Sequence, residues 1–161
     1  MTTPSIYVGT YAKYNNGSIF GAWLDLTKYE DAEDFYKACA ELHNDEQDPE
    51  FMYQDFEGFP SSLYCEAGGI AQIYEYIDAV RDSNLPDGVI DAGLAIEIPL
   101  DQIEDRFIGE YESTQEFAEE YFAGKIDDNH PLYNYIDWDR VWDCQLRFDF
   151  DYENGFMFAV R

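Results

Sequence analysis

Acidic residues outnumber basic ones by 35 to 9 in this chain of 161 residues, a formal charge of −26 at neutral pH. Charge of that size normally marks a disordered segment, because mutual repulsion and weak hydrophobicity together prevent a core from forming. Here 46% of residues are hydrophobic and 18% are aromatic, whereas disordered acidic chains are poor in aromatics. The sequence therefore specifies a folded protein with an ordinary apolar core and an extremely acidic exterior. Direct binding to nucleic acid or to an anionic membrane surface is excluded, since both would repel it.

The carboxylates are spread along the whole chain and form no tail. Ten acids and no base lie between Lys37 and Arg81, and seven more acids and no base lie between Arg81 and Arg106. Folding such a chain costs self-repulsion. Selection for stability alone would not keep that cost, so the negative field is expected to have a use. Salt adaptation, in which every surface becomes acidic, is the plain alternative.

The length fits one domain or a string of small subdomains. No apolar run is long enough for a transmembrane helix, and no signal peptide is expected from Met1-Thr2-Thr3-Pro4. Cys39, Cys65 and Cys144 are odd in number and widely spaced, which suits reduced thiols in a cytoplasm better than a disulfide framework.

Periodicity gives an α+β organisation in three modules: residues 1–60 α+β, 61–105 helical and 106–161 α+β. In the first, Ser5–Tyr11 reads as a strand, Asn15-Asn16-Gly17 as a turn and Ser18–Leu24 as the returning strand of a hairpin. Tyr29–His43 reads as a helix whose first turn is loaded with Glu30, Asp31, Glu33 and Asp34. Phe51–Phe56 reads as a further strand. The middle carries a helix over Gly69–Asp82 and a shorter one opened by Pro86. In the last third, Arg106–Tyr111 is a strand and Ser113-x-x-Glu116 is a capping box. Asp137 caps a short helix. Phe148, Phe150 and Tyr152 alternate with Asp149 and Asp151 as in a strand with one buried face, and Asn154-Gly155 turns the chain into a final strand.

No catalytic constellation emerges. The stretch from Asp149 to Gly155 fails as a calcium loop, because position 6 is Asn154 and position 12 is Val160. His43 and His130 show no ligand spacing and read as surface residues near helix ends, and Cys65 reads as a packing residue. Gly68-Gly69 lacks phosphate-loop spacing. No metal and no cofactor is expected, and carboxylate pairs are too abundant to nominate any as acid and base.

A surface this negative can imitate a polyanion. Duplex DNA carries one charge per ~1.7 Å of axis, so 26 charges match ~44 Å of duplex, and a symmetric dimer matches about twice that. Helical carboxylates four residues apart lie ~6 Å apart along the axis. Glu30/Asp34, Asp101/Asp105, Glu112/Glu116 and Glu116/Glu120 have that spacing, and Asp149/Asp151 would lie on one strand face. With Glu41, Asp45, Glu75, Asp78 and Asp82 on exposed helix faces and loops, these form the candidate DNA-like surface.

The chain also resembles the ArdA antirestriction proteins, DNA mimics carried on bacterial mobile elements. The resemblance runs through Ile6–Tyr11, Tyr14-Asn15-Asn16-Gly17, Gly21–Leu26, Phe107–Tyr111, Tyr135-Ile136-Asp137-Trp138 and Glu153–Phe156. It implies an elongated three-module protein, a homodimer joined through its C-terminal region, that occupies the DNA groove of type I restriction-modification enzymes. It places the antirestriction motif and dimer region at Tyr135, Ile136, Asp137, Trp138, Asp139, Val141 and Trp142. Where the family pattern has an Arg-Asp pair, Asp143-Cys144 stands at the nearest positions. Trp23, Tyr135 and Trp138 are expected in the core or in dimer packing. Two other readings fit the composition: an acidic module for a different basic partner, and an enzyme from a salt-adapted organism.

Overall fold

The computed structural model describes residues 2–161, and the chain divides into two compact units, Met1–Asn84 and Leu85–Arg161. Each is α+β, with a three-stranded antiparallel sheet. The stretch 61–105 is shared between them: residues 61–84 belong to the first unit and residues 85–105 to the second.

In the first unit, β1 (Ser5–Thr10) is the central strand, flanked by β2 (Ala22–Asp25) and β3 (Phe51–Glu57). Alternation puts Ile6 and Val8 into the core, against Leu24, Phe56 and Tyr53 on the neighbouring strands. The register shifts between Tyr7 and Val8, where Gln54 of β3 has no partner and bulges out. The β1–β2 link is not the tight hairpin expected from Asn15-Asn16-Gly17. Thr10 caps a short helix, α1 (Tyr11–Asn15), by accepting from the Lys13 N–H at 3.2 Å. Gly17 closes that helix, and β2 starts only at Ala22. A hydroxyl ahead of five good turn or helix residues outweighed the hairpin signal.

α2 (Ala32–Leu42) starts later than its acidic run because Asp31 is its N-cap, accepting from the Asp34 N–H at 2.9 Å. It buries Phe35 and Cys39, with Phe35 against Tyr53. Burial pushes the Cys39 thiol up to about 12, so it packs as a small hydrophobe. α3 (Ile70–Asp82) buries Ile70, Ile73, Tyr74 and Tyr76, and the Tyr74 hydroxyl donates to the Leu26 carbonyl at 2.8 Å. Gly58 ends β3 at φ +79°, and a Cβ there would lie 2.5 Å from the Thr3 backbone. Gly58→Ala should therefore destabilise this unit by at least ~1–2 kcal/mol from backbone strain alone, read as a lowered thermal midpoint.

The second unit sandwiches its sheet between two helical layers. β6 (Phe156–Ala159) is central, between β4 (Phe107–Glu110) and β5 (Phe150–Glu153). Phe156 and Phe158 point to one face, where Phe107 and the turn at Gly88 meet them. That face is covered by α4 (Val89–Ala95) and α5 (Ile103–Arg106). Met157 points to the other face, into a cluster with Phe117, Ala118 and Leu146. Phe117 and Ala118 come from α6 (Thr114–Phe122), and α7 (Trp138–Val141) continues into a π-helical turn over Trp142–Leu146. Asn154 (φ 50°) and Gly155 (φ 87°) form the predicted two-residue hairpin between β5 and β6. Phe148 and Asp149 lie in the turn before β5, and Phe148 is exposed. The alternation therefore begins at Phe150, and the Asp149/Asp151 strand row does not form.

Candidate acidic interaction surface

None of the 35 carboxylates is buried; 31 are exposed and Asp25, Asp34, Glu46 and Glu153 are half-buried. The negative charge is therefore entirely an exterior property. It is also little neutralised. Among the described residues, Lys13, Lys37 and Arg81 form salt bridges with six carboxylates: Glu33, Asp34, Asp45, Glu46, Asp78 and Asp82. Both units share the charge, with four basic and sixteen acidic residues in the first and five and nineteen in the second.

Local structure decides which carboxylates line up. On α3, Ile70, Ile73 and Tyr74 take the buried face and leave Glu75, Asp78 and Asp82 exposed. Their axial steps are ~4.5 and ~6 Å at 1.5 Å per residue. Arg81 lies 3.0 Å from Asp78 and 2.8 Å from Asp82, and its guanidinium holds the Asp82 carboxyl below the usual range. On α6, Phe117 and Ala118 face inward while Glu116, Glu119 and Glu120 stay exposed. Glu116 also completes the expected cap. Its N–H donates to Ser113 Oγ at 3.1 Å, and its carboxylate accepts from the Glu112 N–H at 2.7 Å, one residue ahead of the usual reciprocal partner. Across the sheet, Glu110 and Glu153 flank Phe156 on one cross-strand row, two strand spacings or ~9.6 Å apart.

Of the four acidic pairs expected at helical spacing, only Glu116/Glu120 falls within one helix. Glu30 lies in the bend ahead of α2, Asp101 in a 3-10 turn set off by Pro99, and Glu112 ahead of the α6 cap. Each of these three pairs straddles a helix start, because the acids that favour a helix N-terminus are also those that stop short of it. Glu41 on α2, Asp105 on α5 and Asp151 on β5 are exposed, as is Asp149 in its turn.

Asp45 belongs to a different arrangement. Lys13 Nζ, largely covered, lies 2.8 Å from Asp45, 3.1 Å from Glu46 and 2.9 Å from His43 Nδ1. His43 is the C-cap of α2 and fully buried, contrary to its surface reading. Its Nε2 is 3.1 Å from the Val8 carbonyl. An ammonium can only donate, so Nδ1 accepts and Nε2 carries the proton given to Val8. Glu46 accepts from the buried Thr10 hydroxyl at 2.6 Å. The cluster fastens the loop after α2 to β1 and α1. Sequence spacing could not show it, since Lys13 and Asp45 stand 32 residues apart. Cys65, expected in packing, is exposed.

These ionisations set the pH response. The Lys13 ammonium holds Asp45 low, and the Thr10 hydroxyl, followed by Lys13, does so for Glu46. Burial opposes the charge on Lys13, but its two carboxylate partners outweigh it and raise its pKa. Carboxylates lowered on folding stabilise above their unfolded pKa, and that contribution is lost as pH falls through the lowered value. Self-repulsion among the other acids acts the opposite way and fades as pH drops toward the isoelectric point near 4.1. The thermal midpoint should thus rise from pH 8 to about 5 and fall again below about 4. A monotonic fall from neutral pH, measured by calorimetry, would show that the unpaired charge costs the fold nothing.

The motif region sits on the aromatic core of the second unit. Tyr135 ends a 3-10 turn and is 82% exposed, so it is not a core residue of this chain. Ile136 is half-buried, Asp137 caps α7 by accepting from the Arg140 N–H at 3.1 Å, and Asp139 is exposed. Trp138 stacks near Phe122 and Tyr133, while Val141 and Trp142 pack on the Phe117 cluster. Trp23, in the first unit, is also exposed. Among the described residues no cluster of potential metal ligands forms, and no helix is long and apolar enough to cross a membrane.

A search of curated proteins finds no match for this chain. The model of the antirestriction protein (ArdA) family matches residues 6–158, nearly its whole length. An α+β chain whose unburied carboxylates are largely unpaired, aligned with that model from β1 to β6, belongs to the ArdA antirestriction family.

Proposed function

We propose that this protein is a non-catalytic DNA mimic that occupies the DNA-binding groove of type I restriction-modification enzymes and blocks them by competition in the cytoplasm. The observation that carries this reading is the exterior charge: every one of the 35 carboxylates lies outside the core, against nine basic residues in the whole chain. A groove built to hold phosphates presents Arg and Lys side chains, which such a surface attracts over long range and which release the counterions gathered on its carboxylates.

Phosphates on one DNA strand advance ~3.4 Å per step along the axis. The α3 edge advances ~4.5 to ~6 Å per carboxylate, and Arg81 pairs with two of its three, so one helix is a dilute copy of one strand. The imitation is shared by several elements, among them α3, α6, α5 with Asp105, and the turns at Asp101 and Asp149. Single neutralising substitutions therefore cost little, and combined ones cost much more.

Self-association through the C-terminal unit completes the proposal. Tyr135 of the motif, and Leu132 and Phe148 on either side of it in sequence, expose large apolar surfaces, and a dimer doubles the length of duplex imitated. Sedimentation should give a mass twice 18.8 kDa. Purified protein should bind a type I methyltransferase directly in a titration at low salt. No binding under those conditions would refute the proposal.

A further inference from the structure

Residues 1–24 contain no acid in a chain that holds 35; the first is Asp25. The structure places four large apolar side chains of that stretch, Tyr14, Ile19, Phe20 and Trp23, on the surface of the first unit, with Ile19 73% exposed. Scattered exposed apolar residues are ordinary, but four within ten residues with no carboxylate among them make this an acid-free apolar stretch in a chain otherwise lined with carboxylates.

The segment is held in place. Tyr7 donates its hydroxyl to the Ile19 carbonyl at 2.8 Å and meets the Trp23 ring edge-on at 5.8 Å. Phe20 stands edge-on to the buried His43 ring at 5.8 Å, with Lys13 Nζ 5.3 Å from its centroid. The Lys13–His43–Asp45 cluster thus serves as the footing for Phe20. Side chains fixed before binding lose little freedom on contact, which is the property of interface anchors.

Charge selects what covers them. This unit carries sixteen acids against four bases. A cationic protein is drawn to a unit of that charge, and the acid-free stretch lets apolar surface on it approach closely. We infer that the Ile19–Trp23 segment is an apolar anchor that docks on the same cationic partner, on aliphatic or aromatic surface bordering its phosphate-binding groove. This rests on the competitive reading above and adds a contact that DNA does not make. The carboxylates then govern the association rate and its salt dependence, and the anchor governs dissociation.

The test compares the native protein with Ile19→Ser/Phe20→Ser in displacing labelled DNA from a type I methyltransferase at two salt concentrations. Circular dichroism monitors the fold and sedimentation the assembly. The double variant should compete on the order of tenfold less well at both salt concentrations, with an unchanged salt slope and a faster dissociation rate. Ile19→Ser alone, which removes no packing partner of His43, should shift the same way and decides the matter if the double variant misfolds. Equal competition by variant and native protein overturns the anchor while leaving the competitive reading intact. Loss of affinity that tracks loss of self-association also overturns it, because the patch would then join copies of this chain. Native protein that displaces no DNA overturns the competitive reading itself and the anchor with it.

Discussion

Raising monovalent salt from 50 to 200 mM should weaken binding of this protein to a type I methyltransferase by on the order of 10³-fold. A DNA-binding protein making about 6–10 phosphate contacts loses ~10³–10⁵ over that range. A mimic that satisfies the same cations inherits the lower part of that range, since its charges are less densely packed than those of a duplex and hold fewer condensed counterions. The α3 edge shows the difference, with axial steps of ~4.5 to ~6 Å against ~3.4 Å for one strand. The charge is also accessible, because 31 of the 35 carboxylates are exposed. Titrations across a salt series give the slope directly. A flat line would mean that the carboxylates do not face the target, whatever else holds the complex together. The same protein should remain folded at low salt, where a salt-adapted enzyme would lose structure.

Phe117→Ala should cost the C-terminal unit ~3–5 kcal/mol, the usual range for emptying a buried phenylalanine site. Phe117 is 3% exposed and forms the hub of an aromatic cluster, with ring centroids 4.9 Å from Phe150, 5.1 Å from Tyr111, 5.9 Å from Tyr121 and 6.1 Å from Trp142. Few of these neighbours can collapse into the space, because they come from four separate segments of the chain. Domains have about 5–15 kcal/mol in all, so the loss brings this unit near its unfolding threshold. The motif residues Val141 and Trp142 rest on the same cluster. Antirestriction should therefore fall although every carboxylate is still present. Urea unfolding of the full chain measures the loss, and Phe117→Leu, which refills most of the volume, should lose less than half as much. Equal stability of Phe117→Ala and native protein would show that the cluster is not the support of this unit.

Legibility in the sequence followed the range of the interactions. The α+β class, the hairpin at Asn154-Gly155 and the caps at Ser113 and Asp137 depend on residues within four positions of one another, and all three could be read. The buried state of His43 and Thr10 depends on Lys13 and Glu46, which lie 30 and 36 residues away, and could not. The short helix at Tyr11–Asn15 was hidden because its residues also suit a hairpin, and only the Thr10 hydroxyl tips the balance. Phe148 misled by alternating correctly while lying in a turn. For the candidate surface, total charge was plain from composition. Which acids are aligned, and which are drawn into pairs by Lys13, Lys37 and Arg81, required knowing where each helix begins and which face it buries.

Competition for one groove has its signature in how inhibition scales with substrate. The half-inhibitory concentration of this protein should be measured against a type I methyltransferase at a series of labelled DNA concentrations above the DNA dissociation constant. Shared occupancy of one groove predicts a half-inhibitory concentration that climbs in proportion to the DNA, with complete displacement at saturation. A value independent of DNA concentration, or a stable complex of enzyme, DNA and this protein together, would contradict it.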